Sequence, residues 1–180
     1  MNNTIETISG IDVVIESIKN DLYDYLSAKW GCSIDAYGRI YRNIDQEGNV
    51  MPEWYFNYNE YKDVMYNDQF ASSFMFIDDE THNTEDEILF TSDVKCVFMV
   101  DLSRILPNEL GRADAKAQKD VIEFLRNNAT NRFTITSLEK GVRNVFRGFD
   151  TSKIKFSDIH PYHCFSVNVN LSYYIEDSCI

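Results

Sequence analysis

The densest grouping of chemically versatile side chains in this sequence is His160-Pro161-Tyr162-His163-Cys164, with Cys96 as a further thiol on a separate segment. Two histidines and two cysteines are the ligand types of a tetrahedral zinc site. Zinc knuckles, however, bring ligands in closely spaced pairs, and no CxxC is present. The segment therefore reads as a proline-fixed turn with polar rims leading into a strand. A nucleophilic cysteine needs a histidine on its own side of the backbone. Cys164 and His163 are neighbours on a strand and point to opposite faces, and no GxSxG elbow offers a serine instead. Asp78-Asp79-Glu80 and Glu85-Asp86-Glu87 flank His82, but without EF-hand spacing or a loop glycine they read as a solvated acidic loop. With no GxxxxGK[ST] and no GxGxxG there is no phosphate cradle. The expectation is a protein that is not an enzyme, with no catalytic, cofactor-binding or metal-ligating residue and no cofactor.

A second unusual stretch is aromatic. Residues 54–77 hold Trp54, Tyr55, Phe56, Tyr58, Tyr61, Tyr66, Phe70, Phe74 and Phe76. Single-stranded nucleic acid would favour such rings interleaved with basic residues. Here Lys62 is the only base among them, beside Glu53, Glu60, Asp63 and Asp68. Core plus protein interface is the better reading, because Tyr and Trp concentrate at interface centres. The expected interface residues are Trp54, Tyr55, Tyr58 and Tyr61, together with Asp78, Asp79 and Glu80 of the acidic loop.

The elements that must position these groups follow from periodicity. Ile11, Val14, Ile15, Ile18, Leu22, Tyr25 and Leu26 recur at helical spacing, which predicts a helix over 11–28 ended by Trp30-Gly31. Strands are expected over 34–42 and 50–57, joined by the turn 45–49, then over 70–77 and 94–102. The last of these is apolar on one face and covered in its middle on the other. Helices are predicted over 112–127 and 137–147, with a short strand over 133–136 between them. Strict alternation from Phe165 to Tyr174 predicts a half-buried closing strand over 164–174. Strands clustered before helices imply an α+β fold, a mostly antiparallel sheet with helices packed on one face. No repeat or linker divides residues 1–180, so one domain is expected, with an aromatic and acidic hairpin extension at 43–93.

Charge narrows the partners. With 29 acidic and 17 basic residues the net charge is −12, which disfavours gripping duplex DNA or an anionic membrane surface. An acidic ring can still surround DNA without holding it. Cys32, Cys96, Cys164 and Cys179 are widely spaced, and residues 1–10 are polar with no signal-peptide pattern. Free thiols in a reducing cytosol are the expectation. No apolar run approaches the ~20 residues of a membrane helix.

The order of these elements resembles the tail-terminator and tail-completion proteins of tailed bacteriophages. The shared parts are the helix at 11–28, the strands between 34 and 102, the helical segment at 112–147 and the closing strand at 164–174. The resemblance is one of element order over nearly the whole chain, and it carries over no site residue. Residues 43–93 and 128–163 hold more than the family's simple connections. It implies a structural virion protein forming a ring, a hexamer or higher, at the tail end or head–tail junction. Its partners would be itself and neighbouring tail or neck proteins, with DNA at most passing through the lumen and no membrane. Its location would be the virion, and the host cytoplasm during assembly. The alternative is a cytosolic acidic protein-binding module or inhibitor without catalytic activity.

Overall fold

The first helix, α1 (Ile11–Trp30), buries Ile11, Val14, Ile15, Leu22, Leu26 and Trp30 along one stripe. It stops at Gly31, whose φ of 61° is the left-handed conformation glycine tolerates, and the Gly31 N–H donates to Ser27 O. The helix runs two residues past the expected end, and this lets Trp30 Nε1 donate to Asp120 at 3.1 Å. In this computed structural model the described residues are 1–5, 7–56, 60–65, 69–84, 87–128, 133–154 and 159–175.

After α1 come β1 (Ile34–Ile44), β2 (Val50–Tyr55), β3 (Tyr61–Asp63), β4 (Ser72–Thr84) and β5 (Leu89–Asp101). A single helical turn, α2 (Leu102–Ile105), leads to α3 (Ala113–Asn127). Then follow β6 (Phe133–Lys140), a second single turn α4 (Val142–Val145) and β7 (Tyr162–Tyr174). The strands form one seven-stranded sheet in the order β3-β2-β1-β4-β5-β7-β6. Among the described strands β1 and β4 are the one parallel pair, because the chain leaves β1 to build β2 and β3 on one side and returns on the other. The fold is α+β with a mostly antiparallel sheet, as the sequence predicts.

Two cores sandwich the sheet. Beneath α1 and α3 lie Phe74, Phe76, Phe98, Phe165, Val167 and Leu171, with Phe98 and Phe165 stacked at 4.9 Å between centroids. On the reverse face Tyr37, Trp54, Met75, Val97 and Met99 are covered by Val142, Val145 and Phe146. The two long helices thus share one face, and α4 lies on the other.

Three expectations need correction. The helix expected over 137–147 is strand as far as Lys140: β6 pairs with β7 from Phe133 to Lys140. Gly141, at φ 89°, then breaks the chain into the single turn α4. Val142, Val145 and Phe146 are buried, but the helical spacing reflects that turn alone. Leu138, which would have belonged to the same helical stripe, is 38% exposed. The acidic stretch 78–87 is not a simple loop, since β4 continues through it to Thr84 and pairs with β5 across an irregularity between Asp78 and His82. Lastly, β2 and β3 are not an appendage, because they continue the main sheet and place Met51 and Trp54 in buried positions.

The apolar face of β7 is as expected, with Phe165, Val167, Val169, Leu171 and Tyr173 all buried against the helix layer. The opposite face is not wet throughout, since Cys164 and Ser166 are buried under the reverse-face core. Val169→Asp would bury an unpaired carboxylate and should cost several kcal/mol, roughly 3 or more. Asn168, whose amide donates to Ser137 Oγ at 3.0 Å, faces the other side, and Asn168→Asp should cost only about 1 kcal/mol. Urea denaturation of the two variants decides it, and equal losses would contradict the assignment of faces.

Candidate functional site

The start of α1 meets β1, β4, β5 and β7 at one corner of the sheet, where polar groups form a continuous chain. Arg39 donates from Nε and Nη2 to the two carboxylate oxygens of Asp12 at 2.8 and 2.9 Å, the forked geometry a guanidinium favours. Its Nη1 lies 3.5 Å from Asp78 Oδ2. Asp78 is 5% exposed and also accepts from Ser92 Oγ at 2.7 Å and from the Glu80 N–H at 3.1 Å. His82 Nε2 stands 3.0 Å from Asp78 Oδ2, and its Nδ1 stands 2.6 Å from the Tyr173 hydroxyl. A carboxylate only accepts, so Nε2 carries the proton, and in the neutral ring Nδ1 accepts from Tyr173. Burial, reinforced by the Asp78 charge, holds the Tyr173 phenol above its ordinary pKa. The corner ties one helix to four strands.

Beyond this corner the sheet overhangs. The pairing of β1 with β4 ends at Phe76, so residues 79–84 of β4 form a sheet edge, and all six are exposed. A backbone irregularity with Glu80 at φ 65° interrupts this edge. The ribbon carries Asp79, Glu80 and Glu87 and no lysine or arginine. On the opposite wing Tyr41, Tyr55 and Tyr61 form a mutual edge-on trio with centroids 5.5 to 6.3 Å apart, and Arg39 lies over the Tyr41 ring at 5.1 Å.

The expected interface residues therefore divide. Asp79, Glu80 and Tyr61 are exposed and Tyr55 is partly exposed. Trp54 and Asp78 are corrections, because Trp54 is 1% exposed within the reverse-face core and Asp78 is the buried hub of the corner. Tyr58 lies outside the described residues. Sequence reasoning missed Asp12, Arg39 and Tyr173 as partners of Asp78, since nothing in their spacing signals that they meet. It also missed a run of cations. Residues 140–153 hold Lys140, Arg143, Arg147 and Lys153 against Asp150 alone, a local reversal of the chain's charge that was visible in composition.

The histidine segment lines an open cleft of about 490 Å³ with Leu106, Glu109, Arg112 and Asp114, and the His160–Pro161 bond is cis. Gln118 Nε2 lies 2.8 Å from His163 Nε2. An amide nitrogen donates, so that ring nitrogen accepts. Ser103 Oγ is committed to Asp101 at 2.6 Å. Cys164 is buried on the reverse face and Cys96 under the helices, so the two thiols are separated by the sheet. Burial raises the pKa of Cys96. No three His, Cys, Asp or Glu side chains group as metal ligands among the described residues.

No family model, curated protein or solved structure matches this chain significantly. The geometry carries the functional reading.

Two outcomes test these assignments. Asp78→Ala removes the acceptor of the buried Ser92 hydroxyl and the His82 ring, while Arg39 keeps its forked pair with Asp12. It should lower stability by about 2 kcal/mol in urea melts, whereas Glu87→Ala should be close to neutral. At the cleft, hydrogen bonds from Arg112 at 2.9 and 3.0 Å hold Asp114 down at about 2, against 3.8 ordinarily. A depressed carboxylate stabilises the fold above the unfolded pKa and loses that contribution as pH falls through the folded one. The window is therefore between 3.8 and about 2. Arg112→Ala should move the Asp114 carboxyl titration, followed by NMR, up toward its ordinary value.

Proposed function

We propose that this chain is a structural ring protein of a tailed-phage particle, acting as a tail terminator or neck connector and assembling with copies of itself. The observation that carries the reading is the arrangement of layers. An N-terminal helix and a mid-chain helix share one face of a mostly antiparallel sheet, and the C-terminal strand is inserted between β5 and β6. The resemblance to tail-terminator and tail-completion proteins rests on this order of helix, strands, helix and closing strand, with residues 133–140 of its helical segment departing from it as strand. The disposition of polar groups supports it as well. Asp78, His82, Gln118 and Ser103 are engaged in internal contacts, while exposed acids and tyrosines gather at the two wings of the sheet. Those are materials for protein contact.

A specific observation favours a second reading, a non-catalytic acidic protein-binding module. The cleft at the cis-proline turn is open and polar, as a site for a single bound segment would be.

The two readings separate on the mass of the assembled particle. Purified full-length chain, run by size-exclusion chromatography with light scattering and imaged by negative-stain electron microscopy, should give closed rings of about six subunits. A strict monomer at high concentration would reject the ring and favour the binding module.

A further inference from the structure

The chain is strongly acidic, yet its charge is not spread evenly. Around α4 Arg143 and Arg147 are exposed, with exposed Lys140 before them at the β6 edge opposite Phe165 and exposed Lys153 after them. None of the four makes an ion pair among the described residues. Arg42, exposed beside them, packs its guanidinium over the Phe149 ring at 4.9 Å. The overhanging ribbon carries the opposite sign in Asp79, Glu80 and Glu87, with Glu85 and Asp86 between them in sequence. Within one molecule the one ion pair between the two surfaces among the described residues is Arg42 Nε to Glu80 Oε1 at 3.9 Å, with the Glu80 side chain 65% exposed. A pair that long and that wet contributes little. Arg42 and Arg147 also line one cleft with Asp79 and Asp93. Most of both charge sets is left unmatched in a single copy.

We propose that the basic surface of residues 140–153 is the receptor for the acidic β4–β5 ribbon of a second copy of this chain. The inference rests on the ring reading and names its contact. Like charge excludes ribbon-to-ribbon and basic-to-basic contact, so a symmetric two-fold dimer through either surface is disfavoured. Ribbon-to-basic contact is the one complementary pairing, and it joins different surfaces of the two copies. Made in one direction, this contact is head-to-tail and closes into a ring when the rotation per subunit allows; made reciprocally it would close a two-fold dimer, which the sedimenting mass distinguishes from a ring. A nucleic-acid partner is the poorer fit. A phosphate approaching Arg42 meets the Glu80 carboxylate 3.9 Å away, well inside the ~8–10 Å screening length of ordinary buffers.

The test is a charge swap in the full-length chain, with assembly followed by sedimentation velocity at low and high salt and folding checked by circular dichroism. Arg143→Glu with Arg147→Glu should weaken assembly by about tenfold or more, as should Glu80→Lys with Glu87→Lys. Combining all four should restore much of the loss. If a reversal unfolds the chain, Arg143→Gln with Arg147→Gln replaces it and should weaken assembly less, in the same direction. Wild-type rings insensitive to either reversal, or a combined variant no better than the worse parent, would overturn this contact and leave the ring reading standing. A short DNA duplex bound by wild type and lost on arginine reversal, with assembly unchanged, would assign the surface to nucleic acid instead. A wild-type chain that stays monomeric overturns both the contact and the ring.

Discussion

Everything in this fold depends on β5 being buried on both faces. Val94, Cys96, Phe98 and Val100 point one way, Val97 and Met99 the other, and all are at most 4% exposed. A strand that is apolar on both sides can exist only with a layer above and a layer below it. α1 and α3 form the first layer. The second is not a helix layer at all but α4 and the irregular chain after it, held by Val142, Val145 and Phe146. The path of the chain after β6 is therefore dictated by the need to cover Val97 and Met99, and this need ends β6 at Gly141.

Polar contacts then fix how the helix layer sits. Asp120 of α3 accepts from Trp30 of α1 and pairs with Lys29 and Lys116, locking the two helices together at one end. At the other end the Asp12–Arg39–Asp78 chain ties α1 to the sheet. Between them Glu16 and Lys19 pair in the interior beside Asn3. Burial raises the Glu16 pKa, with Lys19 opposing the shift. Gly38 makes room for that carboxylate, since a Cβ there would stand 2.2 Å from Glu16 Oε1. Buried ion pairs of this kind add little net stability, but they are costly to half-satisfy, and so they select one docking of helix on sheet.

With the body fixed in this way, the variable parts are its margins: an acidic overhanging ribbon, a basic reverse face, a tyrosine trio and a cleft at the cis-proline turn. The corner at Asp78 lies at the root of the ribbon.

The sequence by itself determined the α+β class, α1, α3, the β1–β2 hairpin and the apolar face of β7. Each of these is written in local periodicity over ten or more residues, or in turn chemistry such as Asp45 accepting from the Glu47 and Asn49 N–H groups. Only the tertiary structure decided what residues 133–147 become. Their helical spacing and their strand propensity conflict, and pairing with β7 settles it in favour of strand as far as Lys140. Burial of Trp54 and Asp78 was equally beyond local reading. An aromatic residue or an acid has the same sequence signature at an interface and in a core. Only the arrival of Arg39 and Ser92 from other strands, beside His82 four residues along β4, makes a buried carboxylate at position 78 tolerable.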